Sequence, residues 1–294
     1  VTLRVSEFLQ FVASGVGQGA IYGLVGVGFV IVYNVTGIIN FAQGHYLMLS
    51  ALTAVSLREA GVPAVPALLV AMVAAALAGL VTDRLVINPA RSHSTLTLII
   101  LTVGLAIAVE GLALLIWGVN PRRYGPFTAG PPLEIGGAAV SRQTLWVLGV
   151  TLALALALWW FFQRTVVGKA MQACAMNREA ARLQAINPAQ MSMYAFTMAA
   201  AVAGVAGVVL VPITSAYYDM GVPFGLKGFT AAVMGGLVSP FGALAGGLLL
   251  GVAEAVAVGY VSSAMAEGVA FAVLALMLVL RPEGLLARVR TRWA

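Results

Sequence analysis

Long apolar runs without a formal charge set the pattern of this chain. Residues 8–57 contain no Asp, Glu, Lys or Arg, and the same holds for 60–82, 143–163, 183–218 and 228–253. A helix crosses a bilayer in about 20 apolar residues, so 8–57 alone has room for two crossings. Water is absent from the bilayer core, and backbone groups there must bond within a helix or a closed barrel. These runs are too continuous for barrel strands, which alternate over roughly 10 residues. The pattern therefore predicts an all-α, polytopic transmembrane helical bundle. Helices are expected at 8–33, 41–57, 64–82, 95–117, 144–162, 191–212, 241–258 and 268–280. A shorter apolar piece at 228–237 ends in Gly235-Gly236 and Ser239-Pro240. Like the segment 34–44, it reads as a broken or re-entrant stretch of the kind tolerated where backbone is buried in protein or lines a cavity. The count is eight or nine membrane helices, depending on whether that piece crosses.

Composition sharpens this picture. Hydrophobic residues make up 61% and charged residues 9%, against about 25% charged in soluble domains. The net charge of +6 calls for no nucleic-acid partner, because basic residues of membrane proteins gather in cytoplasmic loops. Ten of the sixteen basic residues lie in three segments: Arg84 and Arg91; Arg164, Lys169, Arg178 and Arg182; and Arg281, Arg288, Arg290 and Arg292. Assigning these to the cytoplasm puts the N-terminus and the 119–142 loop outside and the C-terminus inside, although Arg122, Arg123 and Arg142 weaken the contrast. The first apolar segment lacks a basic lead and a small-residue cleavage site and is expected to be retained. The whole chain, 1–294, reads as one membrane domain with a loop at about 164–190.

Several chemistries are disfavoured. The single Cys174 makes neither an intrachain disulfide nor a thiolate cage. His45 and His93 are the only histidines, so no metal site and no cofactor are expected. No G-x-x-x-x-G-K-[ST] phosphate loop is present: Gly168-Lys169 lacks the upstream glycine and runs into Ala170. The chain is expected to be a transport subunit with no ATPase site of its own.

Four features carry candidate chemistry. Gly15, Gly19 and Gly23, and Ala243, Gly247, Gly251, Ala255 and Gly259, recur every four residues. Such stripes let helix backbones approach closely, either for packing or as a sliding surface. The polar island Asn34, Thr36, Asn40, Gln43 and His45 reads as a satisfied turn between helices or as an unwound segment bordering a translocation path. Glu110 and Glu254 are intramembrane acids, suited to a structural bond between helices or to proton relay; Glu254, beside the second glycine stripe, reads as structural. In the 164–190 loop, Met171, Cys174, Ala175, Ala181 and Leu183 form an expected apolar stripe on a short helix, with Arg178, Glu179 and Arg182 toward solvent. Asn177 is suited to cap a turn beginning near Glu179, and Asn187-Pro188 to end the loop. Such an element fits a partner's groove or the membrane surface.

Read together, these stretches resemble the inner-membrane permeases of branched-chain amino acid ABC importers, the LivH type. The resemblance lies in Gly19-Ala-Ile-Tyr-Gly-Leu through Gly37-Ile-Ile-Asn-Phe-Ala-Gln-Gly44, in Arg178-Glu-Ala-Ala-Arg-Leu through Ile186-Asn187, in Gly225-Leu-Lys-Gly-Phe-Thr-Ala-Ala-Val-Met-Gly-Gly236, and in Gly246 through Gly251 with Glu254, followed by Arg281-Pro-Glu-Gly-Leu285. It implies a bacterial inner-membrane permease that pairs with a second, related permease subunit. Two separate ABC ATPases would dock on a helix at 175–186, through Cys174, Arg178, Glu179, Ala180, Ala181, Arg182 and Leu183. A substrate-binding protein would deliver an amino acid outside. Gln43, His45, Glu110 and Ala185 depart from residues common in relatives; Ala185 barely affects docking, whereas the changes at Gln43 and His45 leave the cargo more open: urea, short amides or other amino acids would use a similar machine. A proton-coupled carrier built on Glu110 and Glu254 is the rival from another class.

Overall fold

The structure, a computed structural model, describes residues 2–135, 137–260, 266–281 and 284. It is a helical bundle. Its helices are α1 (Thr2–Thr36), α2 (Gln43–Glu59), α3 (Ala64–Val81), α4 (Thr95–Trp117), α5 (Arg142–Arg164), α6 (Val166–Met176), α7 (Arg178–Leu183), α8 (Pro188–Leu210), α9 (Gly221–Met234), α10 (Pro240–Tyr260) and α11 (Ala266–Leu280). A π-helical turn, Thr82–Ile87, extends α3, and a two-stranded hairpin, β1 (Leu133–Ile135) with β2 (Ala138–Val140), sits in the loop between α4 and α5. Among the described residues, six helices are long and apolar enough to cross a membrane, and α2, α9 and α11 are shorter.

Small polar residues start the helices where the chain needs them. Ser94 accepts from Thr97 N at the head of α4, Ser141 from Thr144 N at α5, Thr165 from Gly168 N at α6, and Asn187 from Ala189 N at α8, where Pro188 occupies the first turn. Each cap answers an orphan backbone N–H and is worth about 1 kcal/mol.

The centre of the bundle is α1, 89% of whose spanning window is buried, against 22% for α3 and 17% for α4. The two glycine stripes meet each other here. Gly15 lies on Gly251 and Val252, Gly19 on Gly247 and Leu248, and Gly23 on Leu244, so α1 and α10 run antiparallel with backbones in contact. Packing, the plainer of the two readings of those stripes, is what the structure contains. A second close seam joins α3 to α8, where Gly79 meets Phe196 and Ala200, and Gly204 meets Ala75.

Contacts sort the helix ends onto two faces. On the first, Gln10 bonds Ala139, and Arg122 bonds both Glu59 and the backbone of Ala216. On the opposite face, Arg91 Nη2 reaches Asp83 and Ala189 O, Arg84 Nε reaches Met193, Arg178 donates to Thr36 O, and Asn34 donates to Val238 O. Gly284 packs on Gly236 at this second face. The chain thus passes between faces three times after α8, through α9, α10 and α11. This resolves the parity that the short apolar piece left open. Arg288, Arg290 and Arg292 of the basic tail, and Pro282, Glu283 and Leu285 of the last motif, lie outside the described residues.

Three expectations need correction. The helix expected at 8–33 runs on to Thr36, where Gly37 turns the chain at φ +73°. The piece expected at 228–237 begins at Gly221. Pro223 falls in its first turn, where a missing N–H costs nothing, and Gly221, Gly225 and Gly228 allow it to lie against Gly44, His45 and Val25. The single helix expected at 175–186 is two, broken at Asn177, whose extended backbone (φ −157°) ends α6 while its side chain caps α7.

Candidate functional site

The break between α1 and α2 is closed by its own chain. Thr36 Oγ1 donates to Val32 O and accepts from Ile38 N; Asn40 Oδ1 accepts from Ala42 N; Thr102 Oγ1 on α4 accepts from Phe41 N. Asn40 Nδ2 donates to the Tyr46 hydroxyl, which donates to Thr82 at the π-turn. Gln43 Nε2 donates to Ala199 O on α8. Thr36, Asn40 and Gln43 are all buried. Protein groups therefore take up most of the bonding capacity of this break, and Gln43 Oε1 is buried with no hydrogen-bond partner among the described residues. Asn34, half-buried, is held by Val238. His45, itself buried, reaches a residue of a groove wall: its Nε2 lies 3.4 Å from Glu110 Oε2, while Nδ1 has no partner among the described residues.

That groove has a volume of about 470 Å3 and is open on one side. Its walls come from α4 (Glu110), the turn before α9 (Tyr217, Asp219), α9 (Val222, Leu226, Lys227, Thr230) and α11 (Phe271). Behind it, Lys227 Nζ donates to Glu254 Oε1 at 2.5 Å and to the Tyr22 hydroxyl at 3.2 Å. Glu254 is buried, and its Oε2 has no hydrogen-bond partner among the described residues. The acid read as structural beside the glycine stripe is thus one member of a buried ion pair between α9 and α10. Isolated charges at this depth are costly and find partners. Glu110 and Glu254 are not brought together; each has its own basic partner.

Sequence reasoning missed Lys227, Asp219 and Asp83. Lys227 and Glu254 bracket the charge-free run 228–253, and the rule that singled out Glu254 applies equally to the lysine. Asp83 was hidden by the adjacent Arg84. It is a buried residue of the π-turn, where Oδ1 accepts from Ser192 Oγ at 2.6 Å and from Arg91 Nη2 at 3.2 Å.

On the second face, α6 and α7 divide the residues of the 164–190 loop. Met171, Cys174 and Ala181 are buried against the bundle, whereas Ala175, Arg178, Glu179, Ala180 and Arg182 are exposed. Leu183, expected inside the apolar stripe, is 87% exposed, and Met176 is 74% exposed. Cys174, expected on the docking surface, is covered by its own chain. Burial raises its thiol above the ordinary value, and the nearby Arg178 offsets this only in part. Thiolate, not thiol, is the reactive form. A water-soluble maleimide should therefore label Cys174 slowly in the folded protein and rapidly in denaturant. Fast labelling of folded protein would contradict this packing.

Residues 11–280 match the family described as "Branched-chain amino acid transport system / permease component". The chain belongs to this permease family. It is 32% identical over 301 aligned residues to the high-affinity branched-chain amino acid transport system permease protein LivH of Salmonella typhimurium, with 96% of each chain covered. To BraD of Pseudomonas aeruginosa, a protein of the same description, it is 31% identical with 97% of each covered. The fold is shared with PsaBC from Streptococcus pneumoniae in complex with Fab, at TM-score 0.53 and 13% identity over 97% of this chain and 98% of that one; at that identity the likeness speaks for the fold alone. With six helices able to cross a bilayer, this permease is a multi-pass membrane protein and a permease component of a transport system.

Proposed function

We propose that this permease is one membrane half of an ATP-driven importer of branched-chain amino acids in a bacterial inner membrane. A second, related permease completes the pathway, two separate ABC ATPases dock on the second face, and a substrate-binding protein delivers cargo to the first. The second face is then cytoplasmic, as is the C-terminus, with the N-terminus outside. The translocation path runs along the groove edged by Glu110, with His45 behind that acid, and the packed segment Asn34, Thr36, Asn40 and Gln43 forms its supporting wall.

The observation that carries this reading is the pair α6–α7. It holds Met176 and Leu183 out into solvent, ringed by Arg178, Glu179 and Arg182, in a chain whose sequence has no phosphate-binding loop. Exposed apolar anchors within a polar rim suit a protein interface. Arg178 also donates to Thr36 O at 3.3 Å, which ties a docked partner directly to the end of α1. The buried Cys174 and Ala181 hold the two helices to the bundle, so docking falls to Arg178, Glu179, Ala180, Arg182 and Leu183.

The test is reconstitution with the second permease, the ATPases and the binding protein. Vesicles should take up leucine with ATP and not with a pH gradient alone; uptake driven by the gradient without ATP would replace this reading with a proton-coupled carrier, and uptake of urea without leucine would reassign the cargo. In the same system Leu183→Asp should cut ATP-driven uptake roughly tenfold or more, as loss of a hot-spot anchor does, while the chain still inserts normally. Full uptake by that variant would remove α7 from the docking surface.

A further inference from the structure

We infer that the groove between α4, α9 and α11 is a binding site for the zwitterionic head and aliphatic side chain of an amino acid, with Lys227 meeting the carboxylate and Asp219 and Glu110 the ammonium. This rests on the reading of the chain as an amino acid importer and adds the residues that would hold the cargo inside the membrane domain.

Three observations carry it. The first is size: about 470 Å3 falls within the roughly 300–1,000 Å3 typical of small-molecule sites. The second is the composition of the wall. Val222, Pro223, Leu226 and Phe271 make an apolar side, and Asp219, Glu110 and Lys227 bring both signs of charge to the same opening. A uniformly acidic or basic lining would suit an ion; a mixed lining beside an apolar wall suits a small zwitterion with a hydrocarbon side chain. The third is unspent bonding capacity. Lys227 has three N–H donors; Glu254 and Tyr22 take two, and the third has no partner among the described residues. The Asp219 carboxylate is exposed and enters none of the ion pairs formed among those residues. Opposite charges with open valences, held by backbone on one short helix and its leading turn, offer a carboxylate a donor and an ammonium an acceptor without rebuilding the fold.

The Lys227–Glu254 pair gives the site its character. Glu254 already pairs with the lysine, so a bound carboxylate shares the ammonium rather than being held by it alone. A transport pathway needs a cargo site that also lets go, and a shared cation meets that need.

The experiment uses the full complex of this permease, its partner and the ATPases in nanodiscs, with Leu226→Cys as a reporter on the groove wall and a water-soluble maleimide as probe. Leucine at about ten times its dissociation constant should slow labelling roughly tenfold by mass action. Isoamylamine, which lacks the carboxylate, and isocaproate, which lacks the ammonium, should not. Adding Asp219→Asn, at an exposed position, should abolish protection by leucine at the same concentration. ATP-driven leucine uptake is measured in parallel. If the complex imports leucine while labelling ignores it, the site is overturned and the importer reading stands. If leucine protects but no uptake occurs, the site stands and the importer reading falls. Equal protection by isoamylamine or isocaproate overturns the zwitterion assignment. A cysteine unreactive even without leucine means that a partner chain fills the groove, which also overturns it.

Discussion

Gly19→Val should leave less than about a tenth of the folded protein recovered from wild type. A Cβ on Gly19 would stand 2.5 Å from Gly247 O and 2.8 Å from Leu248 Cα. Those are backbone atoms, so no rotamer change relieves the overlap, and α1 must move off α10. Overpacking costs about 1–3 kcal/mol where side chains can adjust; here the upper end or beyond is expected, and about 1.4 kcal/mol is a factor of ten in the folded-to-unfolded ratio. Lipid offers no substitute, because association of membrane helices depends on close packing rather than on hydrophobic drive. Gly104→Val on α4 is the control, since a Cβ there has no atom within 4 Å. The measurement is the monodisperse peak of a fluorescent fusion after extraction. Equal yields from the two variants would show that the α1–α10 seam does not hold the bundle together.

The second large effect concerns Lys227. Lys227→Met should destabilise the protein by about 3–5 kcal/mol, because the buried Glu254 carboxylate loses its counter-charge. Adding Glu254→Met should recover most of that stability, since a buried pair replaced by apolar side chains of similar size is often neutral. The readout is thermal exposure of Cys174 to a thiol-reactive dye, which works because that thiol is covered in the folded chain. Leucine uptake should remain low in the double variant even though the fold returns, because the groove has lost its cation. A single variant as stable as wild type would remove the pair from the structural core; a double variant that transports normally would remove Lys227 from the path.

These two sites show what could be read from the chain beforehand and what could not. The four-residue spacing of Gly15, Gly19 and Gly23 and of Ala243, Gly247 and Gly251 was plain, because small residues on one face are a local pattern. That the stripes face each other was not, since spacing carries no information about partners more than two hundred residues away. Caps such as Asn177 were legible for the same local reason. Hydropathy found α1 and α3 alike, yet one is the core and the other a rim: a bilayer is as apolar as a protein interior, so apolarity does not separate lipid-facing from buried helices. The start of α9 was missed because the charge-free run begins only after Lys227, whereas the helix itself starts at Gly221 and carries Gly225 against Gly44. The polar island was legible as a break. Its long-range partners were not: Thr102 takes the Phe41 N–H and Ala199 O takes the Gln43 amide N–H, while Gln43 Oε1 stays buried with no partner among the described residues.

One consequence follows for α4. Only 17% of its window is covered by the rest of the chain, and polar ties bind it at three heights: Thr102 to the break at Phe41, Glu110 to His45, and Trp117 Nε1 to Ser56 Oγ. The outer two are about 22 Å apart along the axis. Pegs at three heights along a rod hold it against sliding and spinning and leave the rest of its surface bare. α4 is thus a pinned post at the edge of the groove, and its bare face is the part of it left for lipid or a neighbouring subunit to cover.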